Sequence, residues 1–182
     1  MECVFCKIIE GALPSSVVCE TADAIAIMDI QPIAQGHVLV MPKQHFATLR
    51  EVPQTLAHNL FDLALQIEKS LWETEGIACE GTNILQNNGR SAWQDVHHVH
   101  FHVIPRFAGD NFKIKYQPGK PTRAELDAVA GRIGEQLLSK RGVSALPQED
   151  SKLLLRIQEQ APLQLLERAA ILHEKRRNGI LS

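Results

Sequence analysis

The chain has 182 residues, 45% hydrophobic and 22% charged, with a formal net charge of −2. That length holds one domain with a full core and an appendage, and the composition is that of an ordinary globular protein. The charge balance argues against wrapping a nucleic acid polymer, and no apolar run approaches the ~20 residues of a membrane span. The start, Met1 to Glu10, carries an early acid and no sustained apolar stretch, unlike a secretory signal, so the expected compartment is the cytoplasm. Cys3 to Glu10 reads as a short helical turn ended by Gly11 and Pro14. Within it, Cys3 and Cys6 form a Cys-x-x-Cys whose spacing points to a metal or to redox chemistry. Cys19 and Cys79 stand alone in apolar segments and read as small buried hydrophobes.

Val17 to Glu20 and Ala24 to Asp29 predict two strands joined tightly through Thr21 to Asp23, followed by a loop over Gln31 to Gly36. His37 to Met41 predicts a third strand stopped by Pro42, and Lys43, Gln44 and His45 close that unit. From Pro53, expected at the first helical position, Leu56, Leu60, Leu63, Ile67 and Leu71 recur at helical spacing as far as Gly76. His58 lies in this helix and is given no role. Thr82 to Gln86 is a fourth strand, which leads into the polar, turn-rich loop Asn87 to Asp95.

That loop delivers the chain to its densest chemistry, the run from His97 to Arg106, where four of eight histidines fall within six residues. Alternation with period two places His98, His100 and His102 on one face of one strand, with Val99, Phe101 and Val103 directed into a core. A lone buried histidine is usually a satisfied core residue. Three on one strand face need partners that a plain core does not supply, which marks a site. Beyond Arg106 and an irregular segment to Pro121, Thr122 to Glu125 opens a helix with a capping-box pattern that runs to about Lys140. Past Arg141 and Gly142 the composition shifts. Ser151 to Ile157 and Leu163 to Arg177 predict two amphipathic helices separated by Pro162, and the basic end at Lys175 to Arg177 suits a helix C-terminus. The order β-β-β-α-β-β-α argues for an α+β fold, a mostly antiparallel five-stranded sheet packed with helices and followed by a C-terminal helical extension.

The segment from His98 to Ile104 has a His-φ-His-φ-His-φ-φ pattern and resembles the histidine triad family of nucleotide hydrolases and transferases. Asp29 to Pro42 resembles the family's nucleoside-binding segment, the Asn-Asn-Gly loop leads into the triad as in family members, and the Cys-x-x-Cys start resembles that of bacterial members. The resemblance covers residues 3 to about 112 and sets the expected division: a catalytic, nucleotide-binding domain over 1–142 and the extension over 143–182. It implies hydrolysis at the α-phosphate of a nucleoside phosphoramidate, dinucleoside polyphosphate or related nucleotide, through a nucleotidyl-histidine on His100. His102 would contact phosphate oxygens and handle protons, and His37 would be the outlying site histidine. His98 completes the triad. Asp29 would bind the ribose hydroxyls, and Asn87 and Gln94 the phosphates and leaving group.

A third histidine at 102 favours hydrolysis over the transferase branches, which carry glutamine there. Two positions depart from the pattern: Trp93 stands where glycine is common and Asp95 where serine or threonine is common. Asp95 would aid the leaving group only if protonated, or would orient His98 or His100; Trp93 would narrow the loop or simply pack. The resemblance also implies a structural zinc on Cys3, Cys6, His45 and His98, with His97 the alternative ligand if the register is shifted, and no metal in the attack itself. An adenosine-based substrate and a homodimer formed through the long helix and a sheet edge complete these expectations. The alternatives are a nucleotidyl transferase or phosphorylase, and a zinc-stabilised nucleotide-binding module without turnover.

Overall fold

A computed structural model describes residues 3–110, 112–114 and 117–140. They fall in two compact units divided after residue 115. The first holds helix α1 (Val4–Ile9), strands β1 (Val17–Glu20), β2 (Ala24–Met28) and β3 (Val38–Pro42), helix α2 (Gln54–Glu73), and strands β4 (Gly81–Gln86) and β5 (Phe101–Arg106). The second contains helix α3 (Arg123–Lys140). Its start is the expected capping box: Thr122 Oγ1 accepts from the Glu125 N–H at 3.3 Å, and Glu125 Oε2 accepts from the Thr122 N–H at 2.7 Å. The expected boundary after residue 142 and the two extension helices lie outside the described residues.

The five strands form one sheet in the order β1-β2-β3-β5-β4, antiparallel at every junction. The α+β reading of the sequence is therefore the observed architecture, with β5 placed between β3 and β4. Alternation separates two apolar faces. On one, Ala24, Ala26, Val38, Val40, Phe101 and Val103 pack beneath α2, which buries Leu60, Leu63, Ala64, Ile67 and Leu71. These helix positions recur at three- and four-residue spacing, the stripe a surface helix presents to a sheet. On the other face Ile25, Ile27, Leu39 and Met41 pack with Phe5 of α1. Pro53 sits at the N-cap of α2 rather than at its first helical position, one residue earlier than expected.

The strand expected to begin at His97 begins at Phe101. β3 ends at Pro42, which has no N–H to extend a ladder. Its carbonyl accepts from the His98 ring instead, and the Val99 N–H bonds to the Phe46 carbonyl at 2.8 Å. His98 and His100 therefore lie in the irregular approach to β5, and only His102 of the three lies in the strand itself. In the ladders His102 is flanked by Leu39 of β3 and Leu85 of β4.

Gly36, at φ +94°, makes the turn into β3. A Cβ there would meet Ile77 Cδ1 at 3.0 Å and Pro105 Cγ at 3.2 Å, so both backbone conformation and space require glycine immediately before His37.

Candidate active site

The sheet face beneath α1 opens into a cleft of about 1320 Å³. His37, His100 and His102 line its polar floor together with Asp29, and Asn87, Trp93 and Asp95 reach it from the loop before β5. Val4, Phe5, Ile8, Leu13, Ile27 and Ile30 form an apolar part of the wall. Ile30 is 94% exposed, an apolar side chain that the fold leaves uncovered at this cleft.

His100 is 5% exposed, and its Nδ1 lies 2.7 Å from the His98 carbonyl. A carbonyl only accepts, so Nδ1 carries the hydrogen and the lone pair resides on Nε2. Burial holds this imidazole below its usual range, against an opposing pull from its bond to His98 and from Asp29 and Asp95. The ring is thus a neutral base with a defined nucleophilic nitrogen. The edge of Phe5 meets it at 5.2 Å between centroids, and His102 lies at 4.8 Å.

His102 is held by His37, which stands beside Asp29. The Ile33 N–H donates to His37 Nδ1 at 3.2 Å, with Asp29 Oδ2 3.3 Å from the same nitrogen. His37 Nε2 lies 3.0 Å from His102 Nδ1, so one ring donates to the other and the two share a single hydrogen across that contact. Burial, reinforced by the neighbouring His100 and His37 rings, pushes His102 down to about 4. Asp29 also caps its own turn, accepting from the Gln31 N–H at 2.9 Å.

His98 belongs to a second cluster. It is fully buried, outside the cleft wall, and its Nε2–H donates to the Pro42 carbonyl at 2.8 Å. The Nδ1 lone pair then faces Cys3 Sγ at 3.5 Å and Cys6 Sγ at 3.7 Å, and His45 Nδ1 lies 3.4 Å from Cys6 Sγ. The four ligand atoms of Cys3, Cys6, His45 and His98 all lie within 4.8 Å of one another, the arrangement of a closed tetrahedral metal centre. His97 is exposed and lies outside this cluster. The triad is therefore divided: His100 and His102 face the cleft, and His98 faces the metal-ligand cluster.

The structure places Gln94 elsewhere than expected. Its amide is buried and bonded at both ends to backbone, Nε2 to the Ala47 carbonyl at 2.7 Å and Oε1 from the Gly89 N–H at 2.8 Å. It secures the loop and lies outside the cleft wall. Asn87 lines the cleft and donates to the Trp93 carbonyl at 3.3 Å. Trp93 is 70% exposed, so its role is not core packing. Phe5, which the sequence reading passed over, touches both His98 and His100. Its position between the two cysteines is the signal that was available. Also unforeseen, Phe112, Lys113 and Ile114 reach the cleft, where the Phe112 carbonyl accepts from Arg106 at 2.9 Å and its ring lies 4.5 Å beneath that guanidinium.

With this geometry in view, comparison with known proteins is decisive. The HIT domain matches residues 10–109. The chain belongs to the HIT family. Among its relatives, the adenosine 5'-monophosphoramidase hnt1 of Schizosaccharomyces pombe is 42% identical over 140 residues, covering 77% of this chain and 98% of that one. The crystal structure of a HIT family protein from Bacillus subtilis superposes with a TM-score of 0.69 at 32% identity, covering 74% of this chain and 96% of the other. A Zn-bound histidine triad family protein from Mycobacterium smegmatis gives a TM-score of 0.60 at 32% identity, over 75% and 98% of the two chains. Among the described residues of this HIT protein, no helix is long and apolar enough to cross a membrane.

Proposed function

We propose that this HIT protein hydrolyses nucleoside 5'-phosphoramidates, with adenosine as the nucleoside, through a nucleotidyl intermediate on His100. The observation that carries the reading is the Nδ1–H bond from His100 to the His98 carbonyl, which leaves a neutral Nε2 lone pair at the floor of the cleft. Attack by Nε2 forms an N–P bond to His100 as the P–N bond of the substrate breaks. The departing nitrogen takes a proton from water admitted by the cleft and leaves as an amine, with His102 beside the reacting centre to contact the phosphate oxygens. Water then cleaves the phosphoramidate on His100 and releases the nucleotide. The apolar wall of Phe5, Ile8, Ile27 and Ile30 suits a purine, and the Asp29 carboxylate suits the ribose hydroxyls. The naming of the S. pombe relative supports the same substrate class.

The Cys3, Cys6, His45 and His98 set suits structural zinc. Zn–S bonds of about 2.3 Å and Zn–N bonds of about 2.0–2.1 Å at tetrahedral angles separate sulfur and nitrogen by roughly 3.5 Å, which the 3.4–3.7 Å separations match. The Pro42 carbonyl on the far nitrogen of His98 is the partner that orients a metal-binding imidazole. Zinc there would tie α1 to the approach to β5 and take no part in the attack. All four cysteines are free thiols, which fits a reducing compartment such as the cytoplasm. A homodimer through α2 and the edge strand β4 completes the reading. Phe61 and Trp72 of α2 are exposed, and Glu68 accepts from both Trp72 Nε1 and Thr82 Oγ1, joining that helix face to β4.

The test is turnover of adenosine 5'-phosphoramidate by the wild type and by His100→Ala. The wild type releases AMP; the variant retains AMP binding and loses turnover by at least about 10³-fold. Equal turnover in both overturns the reading.

A further inference from the structure

Among the described residues, Trp93 is the sole non-glycine residue with positive φ, at φ 62° and ψ 33°. Glycine adopts this left-handed conformation without strain, whereas a bulky side chain there is costly. The loop enforces it. The Trp93 N–H donates to the Arg90 carbonyl at 3.0 Å, its carbonyl accepts from Asn87, and the buried Gln94 amide anchors the next residue to Ala47 and Gly89. The indole receives little packing in return, since it is 70% exposed. What the strain does accomplish is to present the indole at the cleft that holds His100 and His102. Strain kept at a ligand-binding cleft, without compensation inside the fold, points to a contact made by the ligand.

Two residues further on, Asp95 lines the same cleft, close enough for its charge to act on both His100 and His102. The loop therefore brings an aromatic face and a carboxylate to the reacting centre. Its one cation, Arg90, lies outside the cleft wall, and the lysine that lines the cleft, Lys113, comes from the segment beyond β5. A polyphosphate leaving group would carry several negative charges toward Asp95. An ammonium group would instead meet a carboxylate and an indole, the pair of groups that stabilises a cation through charge and the ring quadrupole. The cleft, at about 1320 Å³, exceeds the upper end of the roughly 300–1,000 Å³ usual for small-ligand sites. That leaves room for a leaving group with substance of its own.

We propose that Trp93 and Asp95 form a leaving-group subsite that selects amines bearing a second, positively charged group. This rests on the phosphoramidate reading above and names the class of amine released. The test compares two adenosine 5'-phosphoramidates of matched length, one of 1,4-diaminobutane, with a free ammonium at its far end, and one of pentylamine, with a methyl group there. For the wild type, kcat/KM is expected to favour the diamine about fivefold or more. Trp93→Gly and Asp95→Ser each bring that ratio close to one, and Trp93→Tyr restores most of it. A wild-type ratio of one or less overturns the proposal, as does a ratio that survives in both Trp93→Gly and Asp95→Ser. If the wild type cleaves neither compound, the hydrolytic reading fails on its own. The subsite is then judged by the Kd of the corresponding N-alkyl sulfamoyl adenosines: the same preference for the ammonium supports it, and equal affinities overturn it.

Discussion

His102 lies between Leu39 and Leu85 in the ladder with two other imidazoles against its ring, and this company decides when it titrates. Burial and the adjacent His100 and His37 push it down to about 4, whereas in the unfolded chain it titrates near 6.5. Between those values the unfolded state binds the proton first, so stability falls as pH drops through this window and is unaffected above it. Urea unfolding at pH 7.5 and pH 4.5 is expected to show His102→Gln losing less stability than the wild type, by roughly 2–3 kcal/mol. Identical pH dependence in the two proteins contradicts the assignment. His37, His98 and His100 are pushed in the same direction by burial, which is why the comparison with a single-site variant is needed. Gln94 shows where residue-level reading stopped. The family resemblance implies a phosphate contact for it, but its partners, Ala47 and Gly89, become visible only once the chain is folded.

The turn α1 does three things at once, supplying Cys3 and Cys6 to the ligand cluster, Phe5 to the edges of His98 and His100, and Val4, Phe5 and Ile8 to the cleft wall. At six residues it is too short to hold itself as a helix. Its position therefore depends on Phe5 packing with Ile25, Ile27, Leu39 and Met41 and, on the proposed reading, on a zinc held by Cys3 and Cys6. Cys6→Ser is expected to lose stoichiometric zinc, lower Tm by on the order of 5–10 °C, and weaken AMP binding several-fold. Metal analysis, thermal unfolding and titration calorimetry check these in turn. Unchanged Tm and AMP affinity in a zinc-free variant would show that α1 stands without the ion. At this scale the sequence was informative: strands and helices fall within a residue or two of their patterns, and for β2, β3 and α2 the reason is a face buried against another layer. The exception, the start of β5, was hidden because Pro42, which ends the neighbouring ladder, is more than fifty residues away in sequence.

The whole molecule presents β4 as one edge of the sheet, with the exposed face of α2 joined to it through Glu68. Among the described residues no strand pairs with the outer edge of β4, and such an edge beside exposed aromatic side chains invites a second copy. Light scattering is expected to find a dimer for the wild type and a shift toward monomer for Trp72→Glu; a monomeric wild type contradicts the assembly. The architecture was legible because its signals are repeated along the chain, and the family resemblance named the four residues Cys3, Cys6, His45 and His98 that the fold brings together. The division of the triad between cleft and ligand cluster followed only from the resemblance, which gave His98 to the metal set, since equal spacing along the chain does not reveal what each ring faces. That division leaves His100, on the proposed reading, as the nucleophile. The most direct test is peptide mapping by mass spectrometry after rapid quench during turnover of adenosine phosphoramidate. The account predicts an AMP adduct on the peptide carrying His100, localised to that ring and absent from His100→Ala. Full turnover with no adduct on that histidine, or with the adduct elsewhere, would contradict it.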